Sequence, residues 1–422
     1  MNEFNDEYTR SVGKSALRRT WIRVDLLNDN YIKLDSLECD IISGSITIQN
    51  ALDSDLARRK GNLVLASRKD LNEDFYKITL KNCVQIYIGI ENIALKQQYE
   101  FNMGIYLLNS PNTKISVSER TITLDLCDLI ENYSRFSNGL VGKLSFGADA
   151  NLAETILNIA TNSNLMGLSS DKTLIESCDS LIDSAQSFEQ DTDLVDVLKK
   201  LISLHPIYDC YFNNGGYFVF ELIKQRATDS AIDYIDNDFP SLISIDYKKN
   251  WENVRNDIIV NGAMISNDDG TTTQAKYELR NETGNELSID KLGLHRKVIS
   301  NDNNKTDAMC QSEAIYWMDK YSNFAETLTL QMIPAPYLVP NKVIEVNLEY
   351  EDIIITGRWL IDSISIDLKF DGLQTVTCHK LYGQAVHNLD GSLFSDTRSG
   401  IVADGGSFTS TQTNNVYDGG SY

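Results

Sequence analysis

A chain of 422 residues is too long for one ordinary core and is expected to fold as about three domains. Its 42% hydrophobic and 23% charged residues are those of a soluble globular protein, and no run approaches the roughly 18 apolar residues of a membrane helix. The net charge of −22 argues against a protein that grips nucleic acid, because phosphates need dense Lys and Arg and the basic clusters here stop at Arg58-Arg59-Lys60.

Residues 1–20 read as a polar arm without the apolar core of a signal peptide. Strands follow. Ile22, Val24 and Leu26 alternate with Arg23 and Asp25, and Ile46 and Ile48 mark another strand after Gly44. Leu63–Ala66 is a third. Val84, Ile86, Ile88 and Ile90 alternate with Gln85, Tyr87 and Gly89, the period of a half-buried strand. Further strands are expected at Met103–Asn109 and Thr121–Cys127.

Near residue 148 the period changes. Leu152, Ile156, Ile159 and Ala160 fall at helical spacing, with Asp149 placed to cap. A second helix is expected at Asp193–Leu204, stopping at His205-Pro206. Ile207–Phe212 and Tyr217–Ile223 then flank the Asn213–Gly216 loop as a hairpin. Residues 150–245 hold 15 acids against 5 bases, which suits a solvated surface or a face toward an acidic channel.

From Leu242 the chain returns to strand, with Val254, Ile258 and Val260 on one face. A helix at 306–324 carries Cys310, Ala314, Trp317, Met318 and Tyr321 as a core-facing stripe. The stretch Leu328–Gly383 is a meander punctuated by Pro334-Ala335-Pro336, Pro340-Asn341, Glu351-Asp352 and Asp371-Gly372; within it Ile364, Ile366 and Leu368 alternate with Ser363, Ser365 and Asp367. The last 31 residues, Ser392–Tyr422, are rich in Ser, Thr, Gly, Asn and Asp. Such a tail orders when a partner holds it, so it is expected to be a partner-contact segment. The fold class is α+β, mainly β: two antiparallel β-barrel-like domains flanking an inserted α+β domain, with an extended polar C-terminal tail.

The two β regions echo one another. In each, a glycine (Gly104, Gly357) precedes by two residues a large aromatic (Tyr106, Trp359), then two apolar residues, then Asn109-Ser110 or Asp362-Ser363. Counting onward to the next strand pairs Ile122 with Val376. Three copies of a duplicated chain would present six similar domains in a ring.

No catalytic signature is found. The histidines His205, His295, His379 and His387 lack nucleophile or metal partners, and Glu349, Glu351 and Asp352 sit at a hairpin turn rather than as a glycosidase pair. The loops Asn267–Gly270 and Asp302–Asn304 resemble calcium loops only in composition. Cys39, Cys83, Cys127, Cys178, Cys210, Cys310 and Cys378 are odd in number and widely spaced, so reduced core thiols are expected. The chain is read as not an enzyme, with no cofactor and no metal.

The block order WIRVDLLNDNYIKLDSLECDIISGSITIQN, VQIYIGI, FNMGIYLLNSP, LDLCDLIENY, WENVRNDIIVNG and IPAPYLVPNKVIEVNLEY…TGRWLIDSISIDLKFDGLQTVTC resembles phage tail baseplate hub proteins. That broad group includes the late control protein D family and the tail hubs of Gram-positive phages, and the likeness covers roughly residues 20–385. It implies an arm at 1–20, a first β hub domain at 21–147, an inserted acidic domain at 148–245, a second β hub domain at 246–388, and a tail at 389–422. It further implies a homotrimer that adapts a hexameric tail tube to a trimeric spike and lets DNA through. The partners it implies are tail tube or distal tail proteins, a spike or tail-tip protein, and a baseplate wedge or tape-measure protein. Any spike or lytic enzyme is then expected as a separate chain. The expected location is the virion tail baseplate, after synthesis in the host bacterial cytoplasm, with neither sequence-specific nucleic acid binding nor a membrane span. The competing reading is a β-rich receptor- or glycan-binding tail module.

Overall fold

The computed structural model describes residues 12–14, 17–28, 30–37, 41–50, 56–66, 82–116, 120–134, 139–182, 185–223, 229–266, 271–284, 286–322, 325–369, 371–382, 386–387 and 393–394. Its centre is a sheet of 13 strands. The N-terminal third supplies β1 (Arg18–Leu27), β2 (Lys33–Ser36), β3 (Ile41–Gln49), β4 (Arg59–Ala66), β5 (Cys83–Asn92), β6 (Gln97–Ile115) and β7 (Arg120–Cys127). Later segments supply β8 (Asp233–Asp236), β9 (Leu242–Lys249), β10 (Glu326–Met332), β11 (Val343–Tyr350), β12 (Ile353–Asp367) and β13 (Gln374–Lys380).

The strands form where side chains alternate. Val84, Ile86, Ile88 and Ile90 are buried, while Gln85 and Tyr87 between them stay half-exposed. On β12, Ile364 and Ile366 face the core and Ser363, Ser365 and Asp367 lie half-exposed. The order across the sheet is β9-β10-β13-β12-β3-β4-β7-β6-β5-β1-β2, with β11 hydrogen-bonded to β12 and β8 to β11. The architecture is mainly β, as expected, but the two β regions do not close into separate barrels among the described residues. They share one sheet, joined where β12 pairs antiparallel with β3 (Ile364 opposite Ile48, Ile366 opposite Ile46). These four isoleucines are buried in a single apolar core with Leu63, Tyr106, Trp359 and Val376. Each such side chain contributes roughly 1.5–3 kcal/mol by leaving water.

The sheet contains the same unit twice, on either side of this joint. The first runs β3-β4-β7-β6-β5-β1 and the second β9-β10-β13-β12-β11-β8. Matching them position by position also matches them in chain order. The irregularities coincide as well. The β3–β4 ladder skips one residue between Ile41 and Ser43, and the β9–β10 ladder skips one between Leu242 and Ser244. The skipped residues, Ile42 and Ile243, are 49% and 52% exposed. Gly104 has φ +114° and Gly357 φ +113°, and two residues later Tyr106 and Trp359 are completely buried.

The register confirms the equivalence of the aromatics. Gly104 faces Ile86 and Tyr106 faces Val84; Gly357 faces Val346 and Trp359 faces Ile344. It corrects the third strand. Leu108 pairs with Leu126 and Ile361 with Cys378, so the counterpart of Val376 is Leu124 and not Ile122. Counting residues misses this because the ladders break differently, between Asn109 and Asn112 in one copy and between Ile361 and Ser363 in the other. A second departure is at the outer strand: β1 pairs antiparallel with β5, whereas β8 runs parallel to β11.

Between the units lie α1 (Leu152–Thr161), α2 (Leu194–Leu204) and the hairpin Tyr208–Phe212/Phe218–Leu222. Asn151, rather than Asp149, caps α1, accepting from the Glu154 amide at 3.0 Å. Asp149 instead adopts φ +63° and meets Lys305 at 3.3 Å. Asp193 caps α2 through the Val195 amide. Leu152, Ile156, Leu198 and Phe212 pack with Leu27, Cys83 and Ile105, so this segment is seated on the first unit. A further small sheet (Asp257–Ser266, Thr272–Arg280, Arg296–Ser300) carries α3 (Asp307–Ser322). Cys310, Ala314 and Met318 face Ile258, Val260 and Leu279; Trp317 and Tyr321 are only half-buried and stack on each other with centroids 5.7 Å apart.

Candidate assembly interface

Each unit has a buried ion pair at the same place, with the charges exchanged. Pairing sets Arg59 opposite Ile48 and Glu326 opposite Lys249, which makes Arg59 and Glu326 counterparts; by the same ladder Asp128 and Lys380 are counterparts. In the first unit the Arg59 guanidinium lies 3.8 Å from the fully buried Asp128 carboxylate. In the second unit Lys380 lies 3.3 Å from the buried Glu326 carboxylate.

The surroundings of the two pairs differ. Asp128 also accepts from the backbone amides of Arg58, Arg59 and Ile130 at 3.0–3.1 Å. Burial pushes its carboxyl up, against the opposing pull of Arg59 and these amides. Glu326 is buried too, but the hydroxyls of Tyr247 (2.6 Å) and Tyr382 (2.7 Å) donate to it. Although burial is the largest single influence, those bonds with Lys380 and Lys249 outweigh it and hold Glu326 below the usual carboxylate range.

Arg59 does a second job. Beneath Gly104, its guanidinium donates to the Phe212 carbonyl and the Asn214 side chain, each at 2.5 Å, and so ties the inserted segment to the sheet. A Cβ on Gly104 would sit 2.7 Å from Arg59 Nε. Arg58 reinforces the tie through Asp209, and burial pulls its guanidinium down to about 10.

Two surfaces stand out. The hairpin tips joining β5 to β6 and β11 to β12 are counterparts, and both expose large apolar side chains: Ile93 and Leu95 on one, Tyr350, Ile353 and Ile354 on the other. The second surface is the open flank of β9, where Ile243, Asp246 and Lys248 are exposed and, among the described residues, only β10 is paired.

The residues weighed for chemistry do not converge. Glu349 and Glu351 are exposed at the β11–β12 turn; Glu351 has φ +47°, and Glu349 exchanges hydrogen bonds with Asn237 through its backbone. His379 is buried with Nδ1 2.6 Å from Asp362, and His205 caps α2 with Nε2 2.8 Å from the Leu181 carbonyl. Burial pushes the Cys210 thiol up to about 12 and Cys310 to about 11, which suits inert core thiols. A half-open cleft between α2 and α3 is lined by Lys199, Tyr208, Glu313 and Trp317. Among the described residues no group of three or more His, Cys, Asp or Glu could hold a metal, and no helix is long and apolar enough to cross a membrane. Asn267–Gly270 and most of Ser392–Tyr422 lie outside the described residues; within the tail, Leu393–Phe394 pairs with Val386–His387. The exchanged ion pairs and the second copy's β9 edge left no local mark in the sequence, because each depends on partners 54 or more residues apart.

No family model and no curated protein matches the sequence. Solved structures do match the fold. A tail protein from Neisseria meningitidis MC58 aligns over 86% of this chain and 98% of its own, with TM-score 0.56 at 11% identity. The 43 kDa tail protein of prophage MuSo2 from Shewanella oneidensis aligns over 85% and 98%, with TM-score 0.54 at 12% identity. Prophage tail protein gp18 from Listeria monocytogenes EGD-e aligns over 85% and 94%, with TM-score 0.51 at 12% identity. The resemblance to tail hub proteins seen in the sequence thus stands at the level of architecture: this chain has the fold of phage and prophage tail proteins.

Proposed function

We propose that the protein is a structural hub of a phage or phage-like tail, a homotrimer in which three chains present six matched sheet units. The observation that carries this reading is the collinear duplication, down to the shared bulges and positive-φ glycines. A chain with one such unit would match only a threefold partner; with two, a trimer also offers a near-sixfold face. The hub adapts a hexameric tube to a trimeric spike. Its two apolar hairpin tips per chain are the contacts offered toward neighbouring rings of tail tube or distal tail protein, and a spike or tail-tip protein docks on the threefold side. DNA passes through the centre, where the net charge of −22 limits sticking. The role is non-enzymatic, in the virion tail baseplate.

The experiment is imaging of purified tails by cryo-electron microscopy, with light scattering on the isolated chain. A position at the junction of tube and spike is expected; any other position in the particle sinks the reading.

A further inference from the structure

The six-strand unit occurs twice, yet its outer contacts are used once. In the second unit β12 leaves β11 after Leu360, and its freed flank from Ser363 to Asp367 is taken by β3. In the first unit β6 leaves β5 after Leu107 and continues to Ile115 with β7 on one flank. Among the described residues no strand takes its other flank. The counterpart of β3 is β9, held by β10 on one side and by no described strand on the other. The β12–β3 joint therefore consumes one edge of each kind and leaves one edge of each kind at opposite ends of the duplication. Unpaired edges of this sort are templates for another strand.

We propose that β6 of one copy pairs antiparallel with β9 of a second copy, rebuilding the β12–β3 joint between chains. This rests on the homotrimer reading and names the surface that makes it. The register follows by transfer. Ser365 faces Thr47, Ile366 faces Ile46 and Asp367 faces Ser45 in the internal joint. Through the shared ladders Ser365, Ile366 and Asp367 correspond to Asn112, Thr113 and Lys114, while Thr47, Ile46 and Ser45 correspond to Lys248, Tyr247 and Asp246. Asn112 of one copy thus faces Lys248 of the second, and Lys114 faces Asp246, an opposite-charge cross-strand pair. Asn112, Lys114, Asp246 and Lys248 are all exposed in the single chain. The two edges differ, so the contact is head-to-tail and closes as a ring rather than as a twofold dimer.

The test uses the full chain carrying Asn112→Cys and Lys248→Cys, treated with a short bismaleimide and read on a denaturing gel. The single variants control for native thiols, and an Asn112→Cys/Lys276→Cys chain controls for chance encounters. Expected is a covalent ladder that ends at three chains in the double variant alone. A particle of trimeric mass by light scattering that yields no such ladder overturns this interface and leaves the trimer standing. A chain that stays monomeric at high concentration, with no ladder, overturns both. All of these positions are exposed, so each variant should retain the parent's circular dichroism spectrum.

Discussion

The first and second sheet units share a frame but fill its most costly seat in opposite ways. Arg59 and Asp128 in one become Glu326 and Lys380 in the other. Coulomb attraction is unchanged when the two signs are exchanged, so the frame demands a pair and leaves the sign open. What differs is the use of the cation. Arg59 reaches past Gly104 to hold the inserted segment, whereas Lys380 stays within its own unit and shares Glu326 with two tyrosines. The lesson is that the cation of the first seat also anchors the segment that follows β7, whereas the cation of the second serves its own carboxylate.

Removing the anion from the first unit should show the largest effect. Asp128→Ala leaves Arg59 uncompensated and three amides without their acceptor, and about 3–5 kcal/mol of stability should be lost. A denaturant titration measures it; a loss below 1 kcal/mol would mean that water reaches the site and the pair is not buried as described.

The glycines give a finer comparison. Gly104→Ala and Gly357→Ala impose the same left-handed strain, of about 1–2 kcal/mol. Only the first drives a Cβ against Arg59, since the nearest atom to Gly357 is Lys380 Cε at 3.6 Å. Gly104→Ala should therefore cost an extra ~1–3 kcal/mol, the range for overpacking, and should loosen the insert first, seen as faster amide exchange in α2. Equal losses at the two sites would break the distinction.

Acid titration separates the carboxylates by sign. Glu326 is depressed when folded, so its stabilisation is present above the ordinary carboxylate value and is lost as pH falls through the folded one. Asp128 is raised when folded, so the folded state gains relative stability as pH falls through that raised value. Glu326→Gln should flatten the acid-side loss, and Asp128→Asn should steepen it. Unfolding midpoints measured between pH 3 and 6 decide the matter, and parallel changes in the two variants would contradict the assignment.

The smallest effect concerns the matched aromatics. Tyr106→Phe removes the hydroxyl's bond to the Met103 carbonyl at 3.0 Å and should cost about 1 kcal/mol by thermal unfolding. Trp359 has no such bond to lose, its Nε1 being buried without a partner.

Much of this was legible from local pattern. Alternation located β5 and β12, and Gly104/Tyr106 against Gly357/Trp359 marked the repeat, because side-chain period and left-handed glycines are set by a few adjacent residues. Asp149 misled because capping depends on the backbone angle at the helix start, and there the chain turns two residues later, at Asn151. The edge proposed for assembly was not legible at all: nothing about LISIDYKK says which of its flanks is left without a strand among the described residues.

By itself the sequence determined which segments are strands, where helices interrupt them, and that one strand–glycine–aromatic unit occurs twice, since each is a matter of period and backbone sterics. Only the tertiary structure decided that both units lie in one continuous sheet, joined by Ser363–Asp367 against Ser45–Gln49. It also brought each buried charge against its partner, and among the described residues it left β6 and β9 each with a flank that no strand takes. Pairing across hundreds of residues is chosen by which edges meet when the core closes, and no local stretch of chain contains that choice.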